Sequence, residues 1–431
     1  MDIATIYHCF KECGLVTTDS RHCPEDSMFF ALKGSSFNGN AFAEAALEKG
    51  CKYAVVDEEQ YVKGNPRILL VDDVLKTLQQ LANYHRRQLA VPIIGITGTN
   101  GKTTTKELIA AVLRKKYHVL ATEGNLNNHI GVPLSLLKLT PEHQLAVIEM
   151  GASHPGDINE LVDIAEPDYG IITNVGMAHL EGFGSFEGVK RTKGELYDFL
   201  RKHGKHIIFI DNDNEHLMSM SHDLITIAYG TDESSELFVR GMLGPCEPFL
   251  TFQWTCQGET HKVATHLIGS YNLKNALAAI TIGRTFDVPA AAICEALEEY
   301  VPHNNRSQLT TTTHNHLVVD AYNANPTSMR AALENFRIMN VPHKMVILGD
   351  MKELGACSTD AHRQIVEFLP SCGLEHIILV GEEFGKVNTS YEHFANVDVL
   401  KEYLQQHLPQ DKYILIKGSN SMKLAQLQEI L

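Results

Sequence analysis

The sequence has 431 residues, 44% hydrophobic and 21% charged, with 52 acidic against 37 basic side chains and a formal net charge of −15. That length exceeds one ordinary core and predicts two to four domains, while the acidic balance excludes a general nucleic-acid or membrane-surface binder, which needs a basic field. No stretch approaches the roughly 20 consecutive apolar residues of a membrane span.

MDIATIYHCFKECGL lacks a basic segment ahead of a long apolar run, so no signal peptide is expected. The nine cysteines are scattered; only Cys9 and Cys13 are close, four apart on one face of a predicted helix. Reduced thiols and a cytoplasmic protein are expected, with no membrane insertion and no nucleic-acid partner. MFFAL (28–32), KYAVV (52–56) and RILLV (67–71) read as strands, and the first is followed by the Gly- and Ser-rich KGSSFNGNAF. The helical pattern VLKTLQQLANYHRRQLA then leads to Val91-Pro92.

A second series, PIIGIT, HVLAT, LAVIEM, GIITNV and HIIFID, alternates with helical stretches and predicts a mostly parallel sheet. From about 222 to 268 the texture changes to ITIAYG, ELFVRG, FLTFQW and HKVATHLI, which predicts an antiparallel excursion returning to a helix near Tyr271. After Arg306 a third α/β series holds LVVDAY, KMVILGD, HIILVG and YILIKGS. The expected fold class is therefore α/β with three domains, residues 1–88, 89–306 and 307–431.

The chemistry concentrates in GITGTNGKTTTKEL (95–108), where a strand, a glycine turn, Lys-Thr and a helix present backbone N–H groups to phosphate. Gly98, Thr99, Asn100, Gly101, Lys102, Thr103 and Thr104 are the expected triphosphate contacts. Lys102 neutralises the terminal phosphates and Thr103 offers a hydroxyl to Mg²⁺. The common G-x-x-x-x-G-K-[ST] spacing needs glycine at 96, where Ile96 stands; Gly95 is one residue early. In open parallel sheets ligands bind beyond the strand carboxyl ends. Glu149 ends LAVIEM there, and His179 follows GIITNV closely. Asn125, Asn127 and Asn128 can orient phosphate oxygens or metal-bound water, although turn chemistry alone explains one or two of them.

G-T-N-G-K-T-T, NLNNHIGVP, E-M-G-A and TNVGMAHLEGFGS with a following K-G-E together resemble the ATP-dependent Mur ligases over nearly the whole chain, including the shortened loop spacing. The resemblance implies a nucleotide-sugar-binding α/β first domain, a central ATPase domain with a P-loop and a Rossmann-like third domain. It implies that Lys102, Glu149, His179 and Lys193 are catalytic. Thr103, Glu149, His179 and Lys193 would hold two Mg²⁺ ions, Lys193 after carbamylation by CO₂. By itself Lys193 reads as a helix-surface lysine. Asn272, Asn275, Arg306 and Asp320 become candidate ATP contacts, Asp320 through the ribose. Ser20, Arg21, Asn127 and Asn128 become candidate contacts to the UDP substrate, while Asn40 stands where the family usually has histidine.

Four features resemble the branch that adds D-alanyl-D-alanine to UDP-N-acetylmuramoyl-tripeptide: DAYNANPTSM (320–329), LGDMKELG (348–355), the lack of D-N-P-R, and KGSNSM (417–422), where Asn420 replaces an arginine. Asn323, Asn325 and Ser419 are the expected acceptor region. The implied reaction makes an acyl phosphate from ATP and a peptide carboxylate, which the dipeptide amine then attacks. Closure of the third domain would assemble the site of a monomer. A folylpolyglutamate synthase-like ligase and a non-catalytic P-loop binding protein stay open as alternatives.

Overall fold

Alternating strands and helices sort into three sheets in a computed structural model that describes residues 1–233, 236–302, 306 and 308–431. The first sheet is parallel throughout, in the order Val16–Thr17, Met28–Phe30, Tyr53–Val56, Ile68–Leu70. Val16–Thr17 escapes sequence reading because two residues carry no period. Helix Val74–Leu89 starts where the Asp73 side chain accepts from Lys76 N, and it ends at Ala90 in the left-handed region.

The second sheet has nine strands, in the order Glu259–Ile268, Phe249–Cys256, Val239–Cys246, Ile225–Gly230, Ile207–Asp211, Tyr169–Ile172, Ile93–Thr97, Leu145–Glu149, Val119–Ala121. Here one expectation is corrected. ITIAYG is not antiparallel: Ile225–Gly230 pairs in parallel with both Ile207–Asp211 and Val239–Cys246. The short helix Glu215–Met218 carries the chain back across the sheet, so the strand re-enters in the same direction. Antiparallel pairing begins only with the hairpins between Val239 and Ile268.

The third sheet runs Gln308–Thr311, His316–Asp320, Tyr413–Lys417, Lys344–Gly349, His376–Val380, Glu392–Phe394, parallel except for its first pair. The expected limit between 306 and 307 falls where 303–305 and 307 lie outside the described residues. The fold class is the expected three-domain α/β arrangement with mostly parallel sheets. All nine cysteines are free thiols. Among the described residues, no helix is long and apolar enough to cross a membrane.

Packing differs between the joints. Ile6, Phe10, Leu78 and Leu81 of the first body share one apolar cluster with Val132, Leu136, Ile158 and Leu161 of the second. Helices Lys102–Arg114 and Asn272–Thr285 cover the other face of the nine-stranded sheet. The third body has apolar clusters on the two faces of its sheet, one of which also takes in Ile268 of the second body, with Phe249 packed against it.

Candidate active site

Strand Ile93–Thr97 is buried along its whole length and delivers the loop Gly98–Gly101 to the carboxyl edge of the sheet. Two glycines there are demanded by space as well as by φ. A Cβ on Gly98 (φ 145°) would lie 2.0 Å from Thr173 Oγ1, and one on Gly101 (φ 78°) would lie 2.7 Å from Asn275 Oδ1. Asn174 holds the loop from the neighbouring strand end: Asn100 N donates to its Oδ1 (3.0 Å), and its Nδ2 donates to Asn100 O (2.9 Å). Helix Lys102–Arg114 begins at Gly101 and points its free N–H groups and positive end at the same space.

That space is a cavity of about 940 Å³ between the second and third bodies. Thr99, Asn100, Gly101, Lys102, Thr103 and Thr104 line it from the loop, and Glu149, His179, Asn127 and Asn128 from neighbouring strand ends. Asn272 and Asn275 line it from their helix, Arg306 from the link between the bodies, and Asp320 and Asn323 from the third body. Gly98 lies beneath the loop against Thr173.

Glu149 is 1% exposed. Its Oε1 accepts from Thr103 Oγ1 (3.1 Å) and Asn127 Nδ2 (2.8 Å). Oε2 has no hydrogen-bond partner among the described residues, and Lys106 Nζ stands 3.9 Å away. A buried carboxylate oxygen left without a donor is costly, and a cation beside the Thr103 hydroxyl relieves that cost. Hard oxygen donors of this kind suit Mg²⁺. Among the described residues no three His, Cys, Asp or Glu side chains gather at metal-binding distance, so a cation here draws on the Thr103 hydroxyl as well as Glu149.

Lys102 Nζ donates back to Gly98 O (2.6 Å) and Thr99 O (3.0 Å), and burial pushes its ammonium down to about 8. Phosphate oxygens can take over those donors and favour the charged form. His179 caps the short helix Leu180–Phe183 at φ 51° and touches the Glu353 carboxylate through Nδ1. Burial lowers its pKa and Glu353 opposes that shift.

Lys193 does not sit on the helix surface as its sequence context suggests. It is 2% exposed, with Nζ 3.5 Å from Ala152 O and 5.3 Å from the Phe183 ring centroid. Ala152 lines the cavity, so Lys193 lies just behind its wall. Burial, then the nearby Lys102 charge, holds its pKa well below the usual lysine value.

Other expected residues have partners that narrow their roles. Asn275 Oδ1 accepts from Thr105 Oγ1, its Nδ2 donates to Asn272 Oδ1, and Asn272 Nδ2 donates to Ile268 O. Both amides therefore brace the helix under Gly101. Asp320 Oδ2 accepts from Lys417 Nζ at 2.5 Å, and the Arg306 guanidinium lies 3.7 Å above the Tyr322 ring. Asn325 caps helix Pro326–Ile338 and donates from Nδ2 to Asn100 Oδ1 (2.8 Å), so it ties the third body to the phosphate loop. Ser419 accepts from Lys352 N and donates its own N–H to Asp350 O.

Ser20 and Arg21 are not brought to this cavity with Asn127 and Asn128. Ser20 O accepts from Lys49 Nζ, and the exposed Arg21 pairs with Asp19. Asn40 is fully buried, donating to Asn38 Oδ1 and Asp57 Oδ1 and accepting from Asp57 N. Its amide is taken up in bracing the turn.

Sequence reasoning missed Lys106, Tyr322, Lys417 and Glu353. Lys106 follows Thr103 by three residues, so the helix period places both on one face. The other three become visible only when distant segments meet.

Residues 12–92 match the family description "Mur ligase family, catalytic domain", residues 96–283 "Mur ligase middle domain", and residues 305–420 "Mur ligase, glutamate ligase domain". The UDP-N-acetylmuramoyl-tripeptide–D-alanyl-D-alanine ligase of Bacillus subtilis (strain 168) is 32% identical, covering 96% of this chain and 92% of its own. A crystal structure of MurF from Acinetobacter baumannii superposes with a TM-score of 0.86 at 31% identity, over 96% of this chain and 92% of that one. MurF ligase from Thermotoga maritima, solved in complex with ADP, gives 0.84 at 26% identity over 96% of both chains. With three family models matching in chain order and relatives alike over nearly the full length, the chain belongs to the Mur ligase family.

Proposed function

We propose that this chain is an ATP-dependent, ADP-forming amide ligase that joins D-alanyl-D-alanine to UDP-N-acetylmuramoyl-tripeptide in peptidoglycan precursor synthesis. The observation that carries the reading is the unpartnered Glu149 oxygen beside the Thr103 hydroxyl, at the foot of a phosphate loop that faces Arg306 and Asp320 across one cavity. Similarity to D-alanyl-D-alanine ligases over almost the full length supports the choice of substrates.

In this reading the loop N–H groups and Lys102 hold the triphosphate, and Asp320, fixed by Lys417, accepts from the ribose hydroxyls. Thr103 and Glu149 would hold one Mg²⁺ ion and His179 with carbamylated Lys193 a second, and the ions would supply positive charge against the charge that develops in phosphoryl transfer. Arg306, on the link to the third body, has a buried Nε without a hydrogen-bond partner among the described residues, a donor that phosphate oxygens could take up. The peptide carboxylate accepts the phosphoryl group, and the dipeptide amine then displaces phosphate, so no protein nucleophile is needed.

The buried, easily deprotonated amine of Lys193 supports carbamylation. Its nitrogen bonds to the carbon of CO₂, one oxygen takes the negative charge and a proton leaves. A ¹³C-carbonyl carbamate signal that disappears in Lys193→Ala tests this without reference to turnover. Domain limits at 1–88, 89–306 and 307–431, a UDP-sugar role for Ser20 and Arg21, an acceptor role for Asn323, a monomeric state and a cytoplasmic location belong to the same proposal. The decisive assay is ADP release: it should require both UDP-N-acetylmuramoyl-tripeptide and D-alanyl-D-alanine, and release independent of either would sink the reading.

A further inference from the structure

The turn LGDMKELG, in the third body, reaches the second body around Glu353. Asp350 is fully buried and anchors the turn: its carboxylate accepts from Glu383 N, Phe384 N and Lys352 Nζ, each at 3.0 Å. Met351 N donates to the buried His362 Nε2 at 3.0 Å, and Lys352 N donates to Ser419 Oγ at 2.9 Å. Held in this way, the turn carries Glu353 across the joint, where its carboxylate meets His179 Nδ1. Glu181 N also donates to Glu353 O at 3.4 Å, which ties the two backbones at the same point.

The backbone marks both partners as unusual. His179 has φ 51° and Glu353 has φ 63°, left-handed values that side chains other than glycine adopt rarely. Strain of this kind persists where surrounding contacts overdetermine a residue, and it concentrates at functional sites. Two such residues from different bodies meeting side chain to side chain point to a shared purpose.

We infer that Glu353 is a positioning residue for His179, supplied by the third body, so that the imidazole is oriented toward the phosphate cavity only when that body is docked. The inference rests on the proposed role of His179 at a metal ion. A carboxylate beside Nδ1 favours a proton on that nitrogen, although the pair lacks hydrogen-bond geometry, and so leaves Nε2 as the nitrogen free to act as a ligand. Domain docking thereby becomes a condition for a complete metal site. The cavity lies between the same two bodies, so docking of the third body bears directly on the His179 side of the cavity through this carboxylate.

The test uses the full chain with Glu353→Gln, which keeps shape and removes charge, and Glu353→Ala. Mn²⁺ binding in the presence of a non-hydrolysable ATP analogue, read by electron paramagnetic resonance, should weaken about 10- to 100-fold, with a matching loss in ADP release. The unfolding midpoint should stay put, because Glu353 is largely exposed. In a His179→Ala background the Glu353 substitutions should have no further effect on either readout. Wild-type Mn²⁺ affinity in Glu353→Gln, or additive losses in the double variant, would overturn the inference while leaving the metal role of His179 intact. Unimpaired Mn²⁺ binding and turnover in His179→Ala would remove that metal role, and the inference with it.

Discussion

The first and third bodies meet the nine-stranded body in opposite ways. At the first joint, Leu78 and Leu81 of helix Val74–Leu89 enter an apolar cluster shared with Val132, Leu136, Ile158 and Leu161. Arg86, which pairs with Glu166 and Asp168 at 3.5 and 3.4 Å, reinforces it, as does Asn83 donating to Ile164 O. At the second joint the apolar share is small, Ile268 with Phe249 beside it, and the other contacts are polar: Asn325 to Asn100, Ser270 N to Asn335, Glu353 to His179, and the walls of an open cavity. Apolar packing is lost as soon as surfaces part, whereas polar groups exchange partners with water at small net cost. Motion between bodies therefore belongs at the second joint. The first body is thereby the more firmly fixed to the second.

This contrast makes substitutions at the two joints separable. The largest effect is expected for Lys193→Ala, behind the cavity wall: turnover should fall by at least ~100-fold and be partly restored by short carboxylic acids, whose oxygens replace the carbamate. Full activity in that variant refutes the carbamate. Next comes Leu81→Ala, fully buried at the first joint, which should cost about 2–5 kcal/mol in denaturant unfolding while the folded fraction keeps its turnover. A loss of turnover without a loss of stability would reverse the assignment of the two joints.

Asn325→Ala should cost about 1 kcal/mol through the lost helix cap. It should also reduce the scattering change produced by ATP analogue with both substrates, because the tie to Asn100 is gone. The smallest effect concerns pH. His85 is buried at the first joint, with Nε2 against Leu139 O (2.9 Å), and burial lowers its pKa below the usual histidine value. Below about pH 6.5 the unfolded chain takes up a proton that the folded His85 resists, so stability is present above that pH and is lost as pH falls. Unfolding curves at pH 7.5 and 5.0 should differ in that direction, and by less in His85→Gln.

The sequence alone determined whatever depends on neighbours along the chain. Strand periodicity, the glycines of GTNG, the Lys-Thr helix start and the strand-end position of Glu149 follow from local φ demands and side-chain alternation, which a linear reading captures. The same is true of the α/β class and the three successive series of elements. Pairing direction is not local. Ile225–Gly230 has an ordinary strand pattern, and only the crossover helix before it makes it parallel. Residue roles also changed wherever partners come from far away. Asn40 occupies a position expected at a ligand site but is consumed by Asn38 and Asp57, and Asn325 became a tie between bodies. Lys193, which reads as a surface lysine, is buried, and Glu353 acquires meaning only opposite His179. Burial and long-range contact set the free energy of a charged group, and neither quantity is written in its immediate sequence. For that reason the loop could be read from 14 letters, while the arrangement of groups around it needed the folded molecule.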